Sequence, residues 1–446
     1  VLMVDENPPP IAAEEGEVPP ERRSLRKLWY GLGALLAAIV LVIGGGVIWL
    51  DSQSGHRFVA RQIAGMTFQN GMTIAVGRID GSIYNSMILR DVAIGDPRGK
   101  FISFPQVKLD WHPFAYLSNH IDIESLRIPD ARLMRLPAFR TVASNEPLLP
   151  DIDIDVGRLE FGRIEIDPGV TGKRHLLTFT GSAHIADRRA QISADARALS
   201  APGVAGGDRL TLTLDAVPDK NRMALLMDLT SPADGLLASY TGKAAPVTAR
   251  LNGKGDWAKW DGKFDASYGS DELAGLLLTA RGGTLAMRGH MQPGLLLGKT
   301  GTAMLDQPTN VDLTAKLDRR RADLAGTVGN ANFGMAVKGL VDLGRNRFEN
   351  LALDLRVLHP AAIAPGMTGE NVGATLLLDG AFATPKVAYT LTAARLGFGD
   401  TAIVGLRAKG EGRVDADKSI DPVHATATRI VGLDAAAGEL LTNVRV

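Results

Sequence analysis

From about residue 72 onward, apolar and polar residues alternate with a period of two. Val107, Leu109 and Trp111 alternate with Gln106, Lys108 and Asp110; Ile152, Ile154 and Val156 alternate with Asp151, Asp153 and Asp155. The same rhythm places Leu210, Leu212 and Leu214 on one side of a strand, then Met223, Leu225, Met227 and Leu229. It continues through Trp260, Gly262, Phe264, Ala266 and Tyr268, and through Val311, Leu313, Ala315 and Leu317. Leu351, Leu353, Leu355 and Val357, then Val387, Tyr389, Leu391 and Ala393, complete the series. Successive side chains of a strand point to opposite faces, so each segment has one oily and one wet face. Turn residues separate the segments evenly, and about 370 residues at roughly 12 per strand and turn predict on the order of 30 strands. No interleaved helix is long enough for a parallel crossover, so antiparallel meanders are expected. The repetition reads as strand after strand rather than as a fixed sequence motif. The oily faces have three possible destinations: sandwiches, closed barrels, or one long sheet curled into an open trough. Periodicity leaves all three open, and frequency alone favours sandwiches.

The first 50 residues follow a different pattern. Residues 1–20 hold five prolines and five acidic residues and no Lys or Arg; with so little apolar surface to bury, residues 1–27 are expected to form a disordered cytoplasmic tail. Arg22, Arg23, Arg26 and Lys27 precede an uncharged run, 28–50. At 1.5 Å per residue such a helix spans roughly 35 Å, enough for a bilayer core of about 30 Å. Trp29, Tyr30 and Trp49 sit at its ends, where aromatic rings favour the interface. The basic flank predicts a single-pass inner-membrane anchor with a cytoplasmic N-terminus and an exported, periplasmic body. The run is too long for the apolar region of a cleaved signal peptide. Residues 51–71 are expected to hold a short juxtamembrane helix, with Ser54 as its cap.

Charge and composition narrow the chemistry. Lys+Arg and Asp+Glu both number 49, so the net charge is zero, which argues against a nucleic-acid partner bound through bulk positive charge. The absence of cysteine removes disulfides, thiol nucleophiles and Cys-ligated metals. Gly294 to Thr300 resembles a phosphate loop but is one residue short, with Pro293 in place of the first glycine. Gly253, Gly255 and Ala258 fit a degenerate dinucleotide pattern, but a strand follows where a helix is required. Asp151, Asp153 and Asp155 begin like a calcium loop that lacks its glycine and its terminal glutamate, so a solvated acidic strand face is expected. The eight histidines are scattered; His112 and His120 are the closest pair, for which structural roles are expected. Arg319, Arg320 and Arg321 read as a solvated turn, and Trp111 and Trp257 as core or trough lining. No acid–base, metal or cofactor constellation emerges, and a non-enzymatic protein without cofactors is expected.

Several segments carry a family resemblance. Phe58-Val59-Ala60 is followed by Val76-Gly77-Arg78-Ile79-Asp80-Gly81-Ser82, by Leu89 to Ile94, by Asp96-Pro97-Arg98-Gly99 and by Val107 to Pro113. Ile121 to Ile128 and Ala131 to Pro137 come next; Gly255 to Gly262, Thr384 to Tyr389 and Thr428 to Val446 add to the pattern. In this order they resemble the N-terminal part of the TamB family, inner-membrane subunits of the translocation and assembly module within the AsmA-like superfamily. The resemblance implies an all-β fold: a transmembrane helix, then a long antiparallel curled sheet, a β-groove with an apolar interior, over residues 72–446. It also implies phospholipid passage toward the outer membrane and support for outer-membrane protein and autotransporter assembly. Family members are longer; the domain that engages the outer-membrane barrel partner TamA is not among these residues, and the groove is expected to be truncated at its C-terminus.

On that reading phospholipid acyl chains lie along the oily face. Alternation nominates Trp111, Met223, Leu225, Met227, Phe264, Tyr268, Leu353, Leu355, Tyr389 and Leu391 as its lining. A different class of function would use the strand edges to pair with client strands, as a protein-assembly scaffold without lipid transport.

Overall fold

The computed structural model describes residues 44–139, 152–186, 189–217, 222–241, 244–256, 258–296, 302–382, 384–413, 423–432 and 442–445. The chain divides into two units, Val1–Gly55 and His56–Val446. In the first, residues 44–50 are helical. Residues 28–43 of the expected anchor lie outside the described residues, as do Arg22, Arg23, Arg26, Lys27, Trp29 and Tyr30. Among the described residues no helix is long and apolar enough to cross a membrane. Helix α1 runs Gln53–Gly65, and the backbone N–H of Gly55 donates to Ser52 Oγ at 3.3 Å. Its capping hydroxyl is therefore Ser52, not Ser54, because the helix already begins at Gln53.

The second unit is one curled, unclosed sheet, 24-stranded among the described residues. It opens with β1 Thr73–Ala75, β2 Arg78–Gly81, β3 Ser86–Asp96, β4 Gly99–Trp111, β5 His120–Leu133 and β6 Asp153–Ile166. The middle comprises β7 His175–Ala186, β8 Arg189–Leu199, β9 Arg209–Val217, β10 Arg222–Ser231, β11 Val247–Gly255, β12 Lys259–Tyr268, β13 Asp271–Arg281 and β14 Thr284–Met291. Then come β15 Thr309–Asp318, β16 Arg321–Gly329, β17 Phe333–Asp342, β18 Arg347–Val357, β19 Met367–Glu370 and β20 Val372–Ala381. It ends with β21 Lys386–Phe398, β22 Thr401–Arg413, β23 Val423–Val431 and β24 Thr442–Arg445. The short β1 and β2 both pair with β3, and β19 pairs with β21 beside β20. β18 accordingly pairs with β20, and otherwise each strand pairs with its neighbours in sequence. The strand segments expected from alternation fall within these elements, except that Ile152 precedes β6 and Asp151 lies outside the described residues.

One pairing departs from the expected meander: β5 and β6 are parallel. Parallel neighbours need a connection of a dozen or more residues, and residues 134–152 supply it. Its beginning is locked by a buried ion pair. Arg135 donates two 2.6 Å hydrogen bonds to the Asp96 carboxylate, which has no exposed surface, and a third to the Gly99 carbonyl. The backbone N–H groups of Ala138 and Arg98 also donate to Asp96.

A second departure is a repeat invisible as a motif. A proline opens a helical or 3₁₀ turn at Pro113, Pro168, Pro232, Pro293 and Pro360, roughly every sixty residues. The last four follow β6, β10, β14 and β18, so each four strands end in one such turn. Strands β6, β10, β14 and β18 run in the same direction, which places those turns on one rim; β4 runs oppositely, so the Pro113 turn lies on the other rim. Polar side chains tie the turns down. Asp208 accepts from the N–H of Leu236 at 2.9 Å, and Asn330 and Asn332 donate to the carbonyls of Met304 and Ala303.

The Arg135 guanidinium holds the Asp96 carboxyl well below its ordinary 3.8; hydrogen bonds from Ala138 and Arg98 reinforce this, and burial opposes it. A depressed carboxyl contributes stability that is complete above its unfolded-state value and is lost as pH falls through the folded one. Thermal unfolding across the acid range should show the midpoint falling below about pH 4. Asp96→Asn should lower the midpoint at neutral pH and flatten that acid limb; an unchanged acid limb would remove the ion pair from this role.

Candidate functional site: the apolar face of the sheet

Paired residues on neighbouring strands point to the same face, so the register can be followed across the sheet. Trp111 of β4 lies opposite Ile123, Ile123 opposite Val156, and Val156 opposite Ala183. The row continues through Ile192, Leu214, Leu225 and Gly253. Gly262, Leu278, Met287 and Leu313 come next. Then follow Gly326, Val337, Leu353, Leu376, Tyr389, Gly410 and Val423. No position in the row is charged, and its sole side-chain polar groups are the Trp111 indole N–H and the Tyr389 hydroxyl. With strands about 4.8 Å apart, the row runs on the order of 100 Å along the sheet.

All ten nominated residues lie on this face. Met223 and Met227 flank Leu225 on β10, and Met227 reaches Phe264 through Leu251. Tyr268 lies opposite Val247, itself opposite Ser231 of β10. Leu355 reaches Leu391 through Ala374. Met227 and Phe264 pack together on a cluster of Ala249, Ala266, Ala274 and Leu276. Trp111 is set apart from the others. It packs in a separate core formed by Ile79, Met87, Val92, Phe104, Val107 and Ile128, against which Val59 and Ile63 of α1 also pack. Its indole N–H donates to the Ile83 carbonyl at 3.1 Å. Trp111 is thus part of a core that a helix covers, whereas among the described residues no helix packs on the cluster around Met227 and Phe264.

Leucines on the two faces of the same strands differ in exposure. Leu226, Leu277 and Leu377, on the wet face, are 46%, 57% and 37% exposed. Their neighbours Leu225, Leu278, Leu376 and Leu378, on the oily face, are half-buried, and Leu276 is buried. Other leucines of the oily face, Leu210 and Leu285, are 37% and 41% exposed, so that face is only partly covered. It is not sealed: Leu391 is 42% exposed on that same face. Glycines at strand interiors permit the bending. Gly339 (φ +152°) sits at a bulge opposite Asn350, and an added Cβ there would lie 2.5 Å from Leu351 Cα. At Gly326 (φ +152°) a Cβ would approach the Asp312 carbonyl to 2.1 Å. Bulges and strand glycines bend a sheet where side chains would prevent it. At Gly253 and Gly262 the gap is filled instead by the buried Trp260 ring, which occupies the space of both missing side chains.

The wet face is laced with charge pairs such as Arg250–Asp228 at 2.6 Å and Arg288–Asp312 at 2.9 Å. A wide hollow of about 1300 Å³ lies there, lined in part by Asp312, Thr327, Asp354, Arg356 and Thr375. A twisted sheet is saddle-shaped, so each face is concave in one direction. Near β5 and β6, Asp155 bridges His120, at 2.9 Å, and His184. Burial raises its pKa, but the two imidazole hydrogen bonds outweigh that and hold it below 3.8. His112 bonds Asp122 instead, at 2.9 Å. Of the acidic strand face expected from Asp151, Asp153 and Asp155, Asp151 lies outside the described residues and Asp155 is bonded by two histidines remote in sequence. Among the described residues no His/Cys/Asp/Glu group could hold a metal ion. Of the other motifs, residues 297–300 and Trp257 lie outside the described residues, and Arg321 pairs with Glu349. Sequence reasoning passed over Trp260 as lining and missed the Asp96–Arg135 lock; its only signal was a pair of opposite charges 39 residues apart.

The two faces predict opposite responses to one substitution. Leu225→Asp should cost about 1–3 kcal/mol in chemical denaturation, because a carboxylate is placed among apolar side chains. Leu226→Asp, one residue away on the wet face, should stay within about 0.5 kcal/mol. Equal costs would contradict the assignment of faces. No family model, curated protein or solved structure matches the chain.

Proposed function

We propose that this chain is a non-enzymatic phospholipid conduit of the TamB type, anchored in the inner membrane by residues 28–50. Its oily face leads acyl chains through the periplasm toward the outer membrane, in support of outer-membrane protein and autotransporter assembly. The observation that carries the reading is the unbroken apolar row from Trp111 to Gly410, at most half-exposed and, among the described residues between β10 and β21, without a covering layer. A large exposed apolar surface normally marks a binding site. Each methylene moved from water onto such a surface gains about 0.8 kcal/mol, so a long acyl chain is held strongly. Headgroups stay at the rims, in water. Movement is passive, because successive positions along the row are chemically equivalent and none is a deep trap. The wet face, with its ion pairs, faces the aqueous compartment.

Native mass spectrometry of the detergent-purified chain tests this. Phospholipid should co-purify in several copies. The double variant Leu225→Asp/Phe264→Asp should lose lipid photocrosslinking at β10–β12 while retaining the strand content of the wild type. A folded double variant that still crosslinks lipid there would refute the conduit.

A further inference from the structure

We infer that the Pro113–Ser118 turn, with Tyr84 against it, is a docking tip that inserts its side chains into the surface of a lipid bilayer. The inference rests on the membrane-anchored reading above and adds to it the place where the sheet meets the membrane. The turn, Pro-Phe-Ala-Tyr-Leu-Ser, carries no charge. Phe114, Tyr116 and Leu117 are 58%, 65% and 85% exposed, three large apolar side chains within four residues. Such a group costs free energy in water and marks a contact surface.

The exposure is built in, not a loose end. The Tyr84 ring lies parallel to Phe114, centroids 5.5 Å apart and planes 6° apart. Ser118 Oγ donates to the Ala115 carbonyl at 2.8 Å, and left-handed Asn119 closes the turn with its N–H on the Tyr116 carbonyl. His112 on Asp122 fixes the start. The turns at Pro232 and Pro293, on the opposite rim, keep Leu236, Leu237, Leu295 and Leu296 half-buried; the Pro360 turn exposes Leu358 and Ile363 but no aromatic ring. Among the described residues of these Pro-led turns, the Pro113 turn alone presents an aromatic–aliphatic cluster.

A bilayer fits this tip better than a protein partner does. Aromatic rings beside an aliphatic tip are the composition favoured at the membrane interface. On the anchored reading above, the uncharged run 28–50 already commits this chain to a bilayer. The tip also directly follows Trp111, where the apolar row begins.

The chain has no cysteine, which permits single-site labelling of the full chain. Leu117→Cys and, as a wet-face control, Leu277→Cys would each carry an environment-sensitive fluorophore. Reconstitution uses phosphatidylethanolamine–phosphatidylglycerol vesicles containing spin-labelled acyl chains. The Leu117 label should shift to the blue, be quenched several-fold more strongly by spin-labelled lipid than the Leu277 label, and be shielded from iodide. Free access of iodide at position 117, with no lipid quenching, overturns the inference. So does shielding from both quenchers, whether energy transfer between labels reveals a second copy or its absence points to another protein. Vesicle flotation separates the two levels: a chain that does not float defeats the anchored reading itself, whereas a floating chain with a wet position 117 defeats only the docking tip.

Discussion

The sheet depends on one constraint, the locking of register. A strand's faces alternate every residue, so a slip of a single residue between neighbours would move a whole set of leucines from the oily face to the wet one. Across the pairings from β4 to β23 the oily side never changes, even where bulges interrupt the ladder at Ala266/Ser267 and Lys338/Leu340. Each bulge absorbs one residue without inverting the faces beyond it. The wet-face pairs reinforce this: Arg250 with Asp228 and Arg288 with Asp312 each join adjacent strands and match in one register only. Exposed pairs of this kind add little stability; their contribution here is to oppose slippage.

The sheet also bends, and the bending lies in backbone rather than in packing between layers. A sandwich hides its apolar faces by pressing two sheets together. This sheet is curled and unclosed, with glycines such as Gly326 and Gly339 where a side chain would collide with the next strand. Trp260 shows the complementary device, one large ring lying over two glycines and restoring the apolar surface they remove. The outcome is an oily face that is neither dry core nor open surface: Leu276 on it is buried and Leu391 is 42% exposed.

Much of this was legible in the sequence because alternation is a local signal. The strands around Leu225, Phe264, Leu353 and Tyr389 could be read from five or six residues each, and their common face follows once neighbouring strands pair in order. What could not be read depends on contacts distant along the chain. The parallel step between β5 and β6 hinges on Arg135 meeting Asp96, and nothing in the surrounding alternation announces a change of direction. The Pro-led turns escaped notice because their sequences share little beyond the proline; their regularity is in strand count, not in residue identity. Trp111 was grouped with the open lining because its strand alternates like the others, while the cover over its end comes from α1.

The covered end has a consequence for direction along the row. Where α1 packs near Trp111, apolar side chains are satisfied by protein, and the gain from adding an acyl chain there is small. Among the described residues from β10 to β21 the oily face lacks that cover, so on the conduit reading each strand would offer a similar gain. On the proposed conduit reading, a lipid that passed the first strands would find a nearly level stretch rather than a descending one, and the row by itself would impose no direction. Net movement would then have to come from the two ends, from how readily lipid is admitted at one and withdrawn at the other.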